Sequence, residues 1–292
     1  MRIEGIGAVG FVGPLDEPLD ELIFEATQLA LRDAELNLNS VGGIFLAASD
    51  LLDGRGISTM TLSAAAGSFA KPEIRVCEDG IGALLLARSF LRATNAEPVI
   101  VAAWSKLSDA DPEAIERTGV EPIFRRDVLL SDEIVRGLKR SRRQGRVTTT
   151  SKRSVRPVDG AVSLVASRGR DGGTEIRGLA TSTGRYLDGN EDSVTRIKAA
   201  SEAACRDASV APGDLATVFS YQLTDEDFSR LRDALGLPET VSVTGEPTVH
   251  MGYAAGLFAV SRAARLETGT SLALGATGLA GQSAYAAVVG GG

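Results

Sequence analysis

Apolar residues follow two different rhythms along this chain. In Leu19–Ala34 they recur every three to four positions (Leu19, Leu22, Ile23, Ala26, Ala30, Leu31), which draws one apolar stripe on a helix. Gly43–Ala48 is instead a short unbroken apolar run, the pattern of a strand covered on both faces. The same reading predicts strands over Ile3–Val9, Ile74–Cys77, Pro98–Ala103, Gly160–Ala166 and Glu175–Thr181, and then over Thr217–Tyr221, Val241–Val243, Ser271–Gly275 and Ser283–Val289. Helices are predicted over Thr59–Phe69, Gly80–Ala93, Ser193–Ala208, Glu226–Leu235 and Tyr253–Leu266. Strand and helix alternate, which points to an α/β fold. Ser105–Val155 has weaker periodicity and reads as a helical or looped excursion, and the final glycines are expected to fray.

The pattern occurs twice. Laid 174 residues apart, Glu21–Ala34 and Thr195–Ala208 share six of fourteen residues, including Arg32-Asp33-Ala34 over Arg206-Asp207-Ala208. At that offset Val41, Ile44 and Phe45 fall on Leu215, Val218 and Phe219, and Val99–Ala103 falls on Ala273–Thr277. A self-match across several elements indicates a duplicated unit. The expected halves are 1–156, with the excursion 105–156 inside the first, and 157–292. The offset also sets Cys77 opposite position 251, beside His250, so each half would bring one reactive side chain to a shared centre.

Composition narrows the function. At 43% hydrophobic, 24% charged and 5% aromatic residues, the 292-residue chain is ordinary for a soluble globular protein. It lacks an apolar run of the ~18 residues that a membrane span needs. The opening residues lack the apolar core of a signal peptide. Cys77 and Cys205 do not suggest a disulfide framework, so a reducing cytoplasm is expected. One histidine and no cysteine cluster argue against a zinc site. Net charge is −7, yet Arg136–Arg156 holds nine Lys and Arg and no acid. An acidic protein with one basic island does not suit nucleic acid; the island suits a small polyanion or an acidic partner, or is a solvated surface.

Two positions could carry chemistry. Cys77 joins a predicted strand to a predicted helix, where free backbone N–H groups favour a thiolate, while Glu78 and Asp79 oppose it if they face the sulfur. Gly80 and Gly82 would let backbone and substrate approach. The plainer alternative is a small core residue, as Cys205 is expected to be. His250, at the other strand-to-helix junction, could accept a proton from the thiol or donate one to an oxyanion, or could be a satisfied structural residue.

These residues resemble the thiolase superfamily. Val76-Cys77-Glu78-Asp79-Gly80 is similar to its strand–nucleophile–helix motif, and His250–Gly256 to its His-x-x-Gly-Ala-x-Gly motif, with Tyr253 replacing the glycine. Arg156–Ala161 resembles the stretch that opens the second half, and Gly275–Gly281 the C-terminal Gly-rich loop. The resemblance implies a five-layer α-β-α-β-α sandwich of two pseudo-duplicated halves. The chain departs from the pattern in several ways. It is shorter, mostly between Ser105 and Arg156, where the family carries a cap over the coenzyme A tail. No second cysteine follows Cys205. Near Ser220–Phe228, where an Asn or His motif belongs, Tyr221 and Gln222 are the nearest polar residues.

Three functions remain open on this reading. In the first, Cys77 attacks an acyl thioester, His250 manages the proton, and backbone around Cys77 or at Gly275, Gly278 and Gly281 holds the oxyanion. The acyl group then passes to a carbon nucleophile in a Claisen-type condensation, or to a heteroatom. The second is a non-catalytic subunit paired with a related chain. The third is a thioester retro-aldol lyase with Tyr253 or Tyr221 as acid/base. No permanently bound cofactor is expected; the thioester of coenzyme A or an acyl-carrier protein is the substrate, with Arg140, Arg142 and Arg143 as candidate donor-binding residues. The expected partners are a second copy or a related thiolase-like chain, joined at a strand edge near Pro98–Ala103, and a carrier protein or a small OB-fold protein.

Overall fold

The computed structural model describes residues 1–50, 52–54, 59–110, 141, 156–169, 173–184, 193–221, 223–246, 249–266, 268–277 and 282–290. Most of the excursion, with Arg140, Arg142 and Arg143, and also Gln222, Gly278 and Gly281, lies outside these residues.

The first half comprises β1 (Arg2–Gly10), α1 (Leu19–Asp33), β2 (Gly43–Ala47), α2 (Thr59–Ala65), β3 (Glu73–Val76), α3 (Gly80–Ala93) and β4 (Val99–Ser105). After the excursion come β5 (Arg156–Pro157), β6 (Gly160–Ser167), β7 (Thr174–Thr183), α4 (Ser193–Ala208), β8 (Thr217–Phe219) and α5 (Asp225–Leu235). The chain closes with β9 (Ser242–Thr244), β10 (Val249–His250), α6 (Ala255–Ala264), β11 (Thr270–Thr277) and β12 (Ser283–Gly290). Ten strands join in the order β3-β2-β4-β6-β1-β7-β12-β11-β8-β9. The order is two five-stranded units meeting at β1 and β7, whose ladder is only Arg2↔Glu175 and Ile3↔Thr174. In both units the third strand is at the edge, followed by the second, fourth, fifth and first.

Layering follows from which faces are apolar. α1 buries Leu19, Leu22, Ile23, Ala26, Thr27, Ala30 and Leu31; this stripe packs on β1, β4 and β6, with α2 alongside. α4 covers the opposite face, against β7, β11 and β12, with α5 alongside it. α3 and α6 pack against each other and reach strands of both units, so they form the central layer. Gly80 permits that contact, because a Cβ there would lie 2.4 Å from Leu257 Cβ. The result is an α-β-α-β-α sandwich with three main cores, one central and one under each outer helix layer. Each fully buried Leu or Ile contributes about 1.5–3 kcal/mol to holding the layers.

The duplication extends to single atoms. Asp33 at the end of α1 accepts the Ile6 N–H at 2.8 Å, and Asp207 at the end of α4 accepts the Leu179 N–H at 2.9 Å. Gly5 and Gly178 let the strand lie against the helix: a Cβ would sit 2.1 Å from the Ala30 carbonyl oxygen in one copy and 2.1 Å from that of Ala204 in the other. The single offset does not persist, however. Ile44 faces Glu73 while Val218 faces Val243, an offset of 170 for the third strands. Ile100 opposite Ile44 and Leu272 opposite Val218 give 172 for the fourth. Cys77 therefore corresponds to position 247, outside the described residues, rather than to 251.

Other expectations change. Pro98–Ala103 is not an edge: Val99–Ser105 is buried throughout and paired on one side with β2 and on the other with β6. The exposed ladder in the first half belongs to β3. Gly160–Ser167, expected to open the second half, pairs with β4 and β1 and completes the first sheet. The helix expected from Tyr253 starts as a 3-10 turn over Gly252–Ala254, where Gly252 takes φ 52°. Among the described residues, no helix is long and apolar enough to cross a membrane, and no group of three or more His, Cys, Asp or Glu is placed to hold a metal.

Candidate active site

β3 ends at Val76 and α3 begins at Gly80, so Cys77, Glu78 and Asp79 form the whole turn between them. The Cys77 thiol is exposed and free, whereas Cys205 is buried on α4, as expected of a core residue. Burial raises the Cys205 thiol above its ordinary value. Cys77 thus stands at the head of a central helix, open to solvent.

The two acids of the turn face separate partners. Glu78 Oε2 accepts the Thr277 hydroxyl at 2.7 Å and also the Tyr285 hydroxyl, so its carboxylate is held by β11 and β12 of the second half. Burial, with the Glu78 bond and charge, pushes the Tyr285 phenol far up. Asp79 is fully buried. It caps α3 by accepting the Ile81 N–H at 2.9 Å through Oδ1 and accepts the Gly256 N–H of α6 at 2.9 Å through Oδ2. Burial pushes its carboxyl up to about 7, the two N–H bonds oppose that, and the Glu78 charge adds to it.

On the second-half side, Tyr253 is partly buried, with Ser49, two residues past β2, near enough to its hydroxyl to lower the phenol slightly. Burial first, then the nearby Cys77 and Glu78 charges, push this phenol up to about 12. Tyr253 is therefore within electrostatic reach of the Cys77 turn. His250 is exposed, and its Nδ1 accepts the Gly252 N–H at 3.0 Å. An accepting Nδ1 puts the proton of a neutral ring on Nε2, which makes His250 an N–H donor on its other side. The backbone under it is braced: Val249 and His250 pair in parallel with Arg156 and Pro157, and Val158 N–H donates to the His250 carbonyl.

That brace is anchored by a buried ion pair that sequence reading did not find. Asp159 is fully buried and meets Lys106 Nζ at 3.1 Å, the Ser108 hydroxyl at 2.5 Å and the Leu15 N–H at 2.9 Å. Burial alone would raise its carboxyl, but the Ser108, Leu15 and Lys106 bonds together hold it below the usual range. The signal was present in the Asp of Arg156–Ala161, with nothing in sequence to join it to Lys106.

The remaining sequence candidates fall elsewhere. Tyr221 packs on Phe258, ring centroids 5.1 Å apart, in the apolar cluster beneath the His250 strand. Gly275 lies in β11 opposite Tyr285; a Cβ on it would come within 2.3–2.5 Å of the Asp79 carboxylate, so its bare Cα makes room for that group. Of the basic island, Arg156 is described: it donates to the Val12 carbonyl and meets Glu246 at 3.3 Å.

This sandwich, with the Cys77 turn at the head of a central helix, is a thiolase-like fold. Solved structures agree across almost the whole chain. The Ltp2-ChsH2(DUF35) aldolase superposes with a TM-score of 0.71 at 15% identity, covering 99% of this chain and 97% of that one. A monomeric SCP2-thiolase like protein type 1 from Mycobacterium smegmatis gives 0.70 at 16% identity, covering 99% and 77%. The 3-oxoacyl-[acyl-carrier-protein] synthase III of Aquifex aeolicus VF5 gives 0.66 at 16% identity, covering 99% of each. No family model matches the sequence, and no curated protein matches it.

Proposed function

We propose that the protein is a thiolase-like acyltransferase working through an acyl-Cys77 intermediate. The observation that carries this reading is the Cys77 thiol, exposed at the start of the central helix α3 while both neighbouring carboxylates are engaged elsewhere. Its sulfur attacks the carbonyl carbon of an acyl thioester. The C–S bond of the donor breaks, and the donor leaves as a thiol with the proton lost by Cys77. The acyl group then passes to a carbon or heteroatom nucleophile. The Nε2–H of His250 suits the donor role toward the developing oxyanion. Coenzyme A and an acyl-carrier protein are the two donor classes, with Arg140, Arg142 and Arg143 as the residues to test for binding the donor's acidic end.

Incubation with a panel of acyl thioesters, followed by intact-mass spectrometry, tests the proposal. An acyl adduct mapped to the Cys77 peptide and lost in Cys77→Ala supports it; no adduct with any donor sinks it.

A second reading is favoured by Tyr253, a partly buried phenol within electrostatic reach of Cys77. A retro-aldol lyase on a β-hydroxyacyl thioester would take the hydroxyl proton, break Cα–Cβ and return a proton to the resulting enolate, with Tyr253 as acid/base. Aldehyde or ketone release without a covalent adduct would select this reading. The similar aldolase structure with a DUF35 chain supports a second protein as partner in either case.

A further inference from the structure

We propose that Asp79 is a positioning residue that locks the Cys77 turn to the His250 loop, and that this tie sets the geometry in which Cys77 is acylated. The inference rests on the acyltransferase reading for its kinetic arm only.

The tie is structural in origin. Asp79 stands two residues after Cys77, at the N-terminus of α3, and its two oxygens point to different halves of the chain. Oδ1 holds Ile81 N–H of α3, and Oδ2 holds Gly256 N–H, 177 residues away in the first turn of α6. Gly256 lies six residues after His250, and between them Gly252 N–H holds the His250 ring. One carboxylate thus spans from the nucleophile turn to the helix that follows the histidine. The space is built for it. A Cβ on Gly256 would lie 1.9 Å from Oδ1 and a Cβ on Gly275 2.3 Å from it, so α6 and β11 both present bare backbone to this group. The titratable groups facing it are Glu78 of its own turn and Tyr285 of β12.

A capping residue alone needs only the Ile81 bond. The second bond is what a cap does not explain, and it is the one that crosses between the halves. With burial raising the carboxyl to about 7, the group changes charge in the neutral range, and the ionised form is the one burial disfavours, so openings that wet Asp79 and release Gly256 become easier above that pH.

Asp79→Ser separates the two functions, because a serine still caps α3 and is too short to reach Gly256. Asp79→Asn, which keeps one acceptor and no charge, is the second variant. Amide hydrogen exchange at Gly256, corrected for its intrinsic pH dependence, should speed up in wild type as pH rises through about 7, because ionising the buried acid favours any opening that wets it, and lose that step in both variants. Acylation of Cys77 should fall about tenfold or more in Asp79→Ser with donor KM within about twofold, the split expected when alignment rather than binding is lost. If wild type takes no acyl group from any thioester, the acyltransferase reading fails while the exchange measurement still decides the tie. Gly256 exchange in Asp79→Ser matching wild type at every pH, or an acylation rate unchanged with the step abolished, would overturn the proposal.

Discussion

Thr277 and Glu78 are 199 residues apart, and the hydroxyl of the first donates to the carboxylate of the second at 2.7 Å. With Tyr285 donating to the same oxygen, the acid next to Cys77 is satisfied by two hydroxyls of the other half. A sequence reading sees Glu78 only as a negative charge beside a thiol. In the fold it is a fastening point between β3–α3 and β11–β12.

The fastening is measurable. Tyr285→Phe removes one hydroxyl and little else, and should destabilise the protein by about 1.5–3 kcal/mol, the range for a hydrogen bond to a charged group. Urea unfolding of the variant against wild type at pH 7 gives this number, and a change below about 0.5 kcal/mol would count against the bond.

Asp79 makes stability depend on pH with a definite sign. Its carboxyl is raised from 3.8 to about 7 in the folded state, so the fold holds a proton that the unfolded chain has released. The contribution is complete below about pH 4, where both states are protonated, and is lost as pH rises through 7. The loss is at most about 4 kcal/mol, from roughly three pH units at ~1.4 kcal/mol each. Unfolding free energies at pH 5 and pH 8 should differ by less in Asp79→Asn than in wild type. An equal difference in the two proteins would remove Asp79 as the cause.

The duplicated strand–helix contacts predict matched losses. Gly5→Ala and Gly178→Ala each drive a methyl into a helix carbonyl and should cost about 3 kcal/mol or more. Gly213→Ala, with nothing within 4 Å of its Cβ, should change stability by under about 0.5 kcal/mol. Asp33→Ala should cost about 1–2 kcal/mol for the lost Ile6 bond. Asp207→Ala should cost somewhat more, because Asp207 also pairs with Arg88; that pair is part-exposed and adds under about 1 kcal/mol.

Self-association, if it uses a strand edge of the first half, should use β3. One side of this strand pairs with β2, and Ile74 on it is 39% exposed. Light scattering at micromolar concentration is expected to give twice the 30.4 kDa chain mass, and Ile74→Lys to return the monomer. A wild-type monomer at that concentration would count against pairing there.

How much of this was legible depended on whether the information was local. α3 was readable end to end as Gly80–Ala93, because an apolar stripe runs unbroken from a capping Asp to Thr94. The repeat was readable through α1 and β2, where Arg-Asp-Ala recurs for a reason now visible: each Asp holds a first-strand N–H. Beyond β2 the connecting segments differ in length between the copies, so one fixed offset misplaced the partner of Cys77. β4 is legible as a strand covered on both faces, but a run of apolar residues says nothing of which edges are paired, and in the fold β2 and β6 take both. The place of Cys77 between a strand and a helix is legible in the sequence, whereas its exposure is not. The partners of Glu78, Asp79 and Asp159 are not legible either, since each pairing joins positions more than fifty residues apart that share no pattern.

The two copies, alike in strand order, have become unlike where they meet. The first contributes the thiol and both carboxylates (Cys77, Glu78, Asp79), and the second contributes the donors that receive them (the Gly256 amide and the hydroxyls of Thr277 and Tyr285). Two first copies placed together would bring acid against acid, and two second copies would leave donors facing donors. Only a mixed pair closes. The seam is therefore directional, acids on one side and donors on the other, and each copy is matched to its unlike partner rather than to itself.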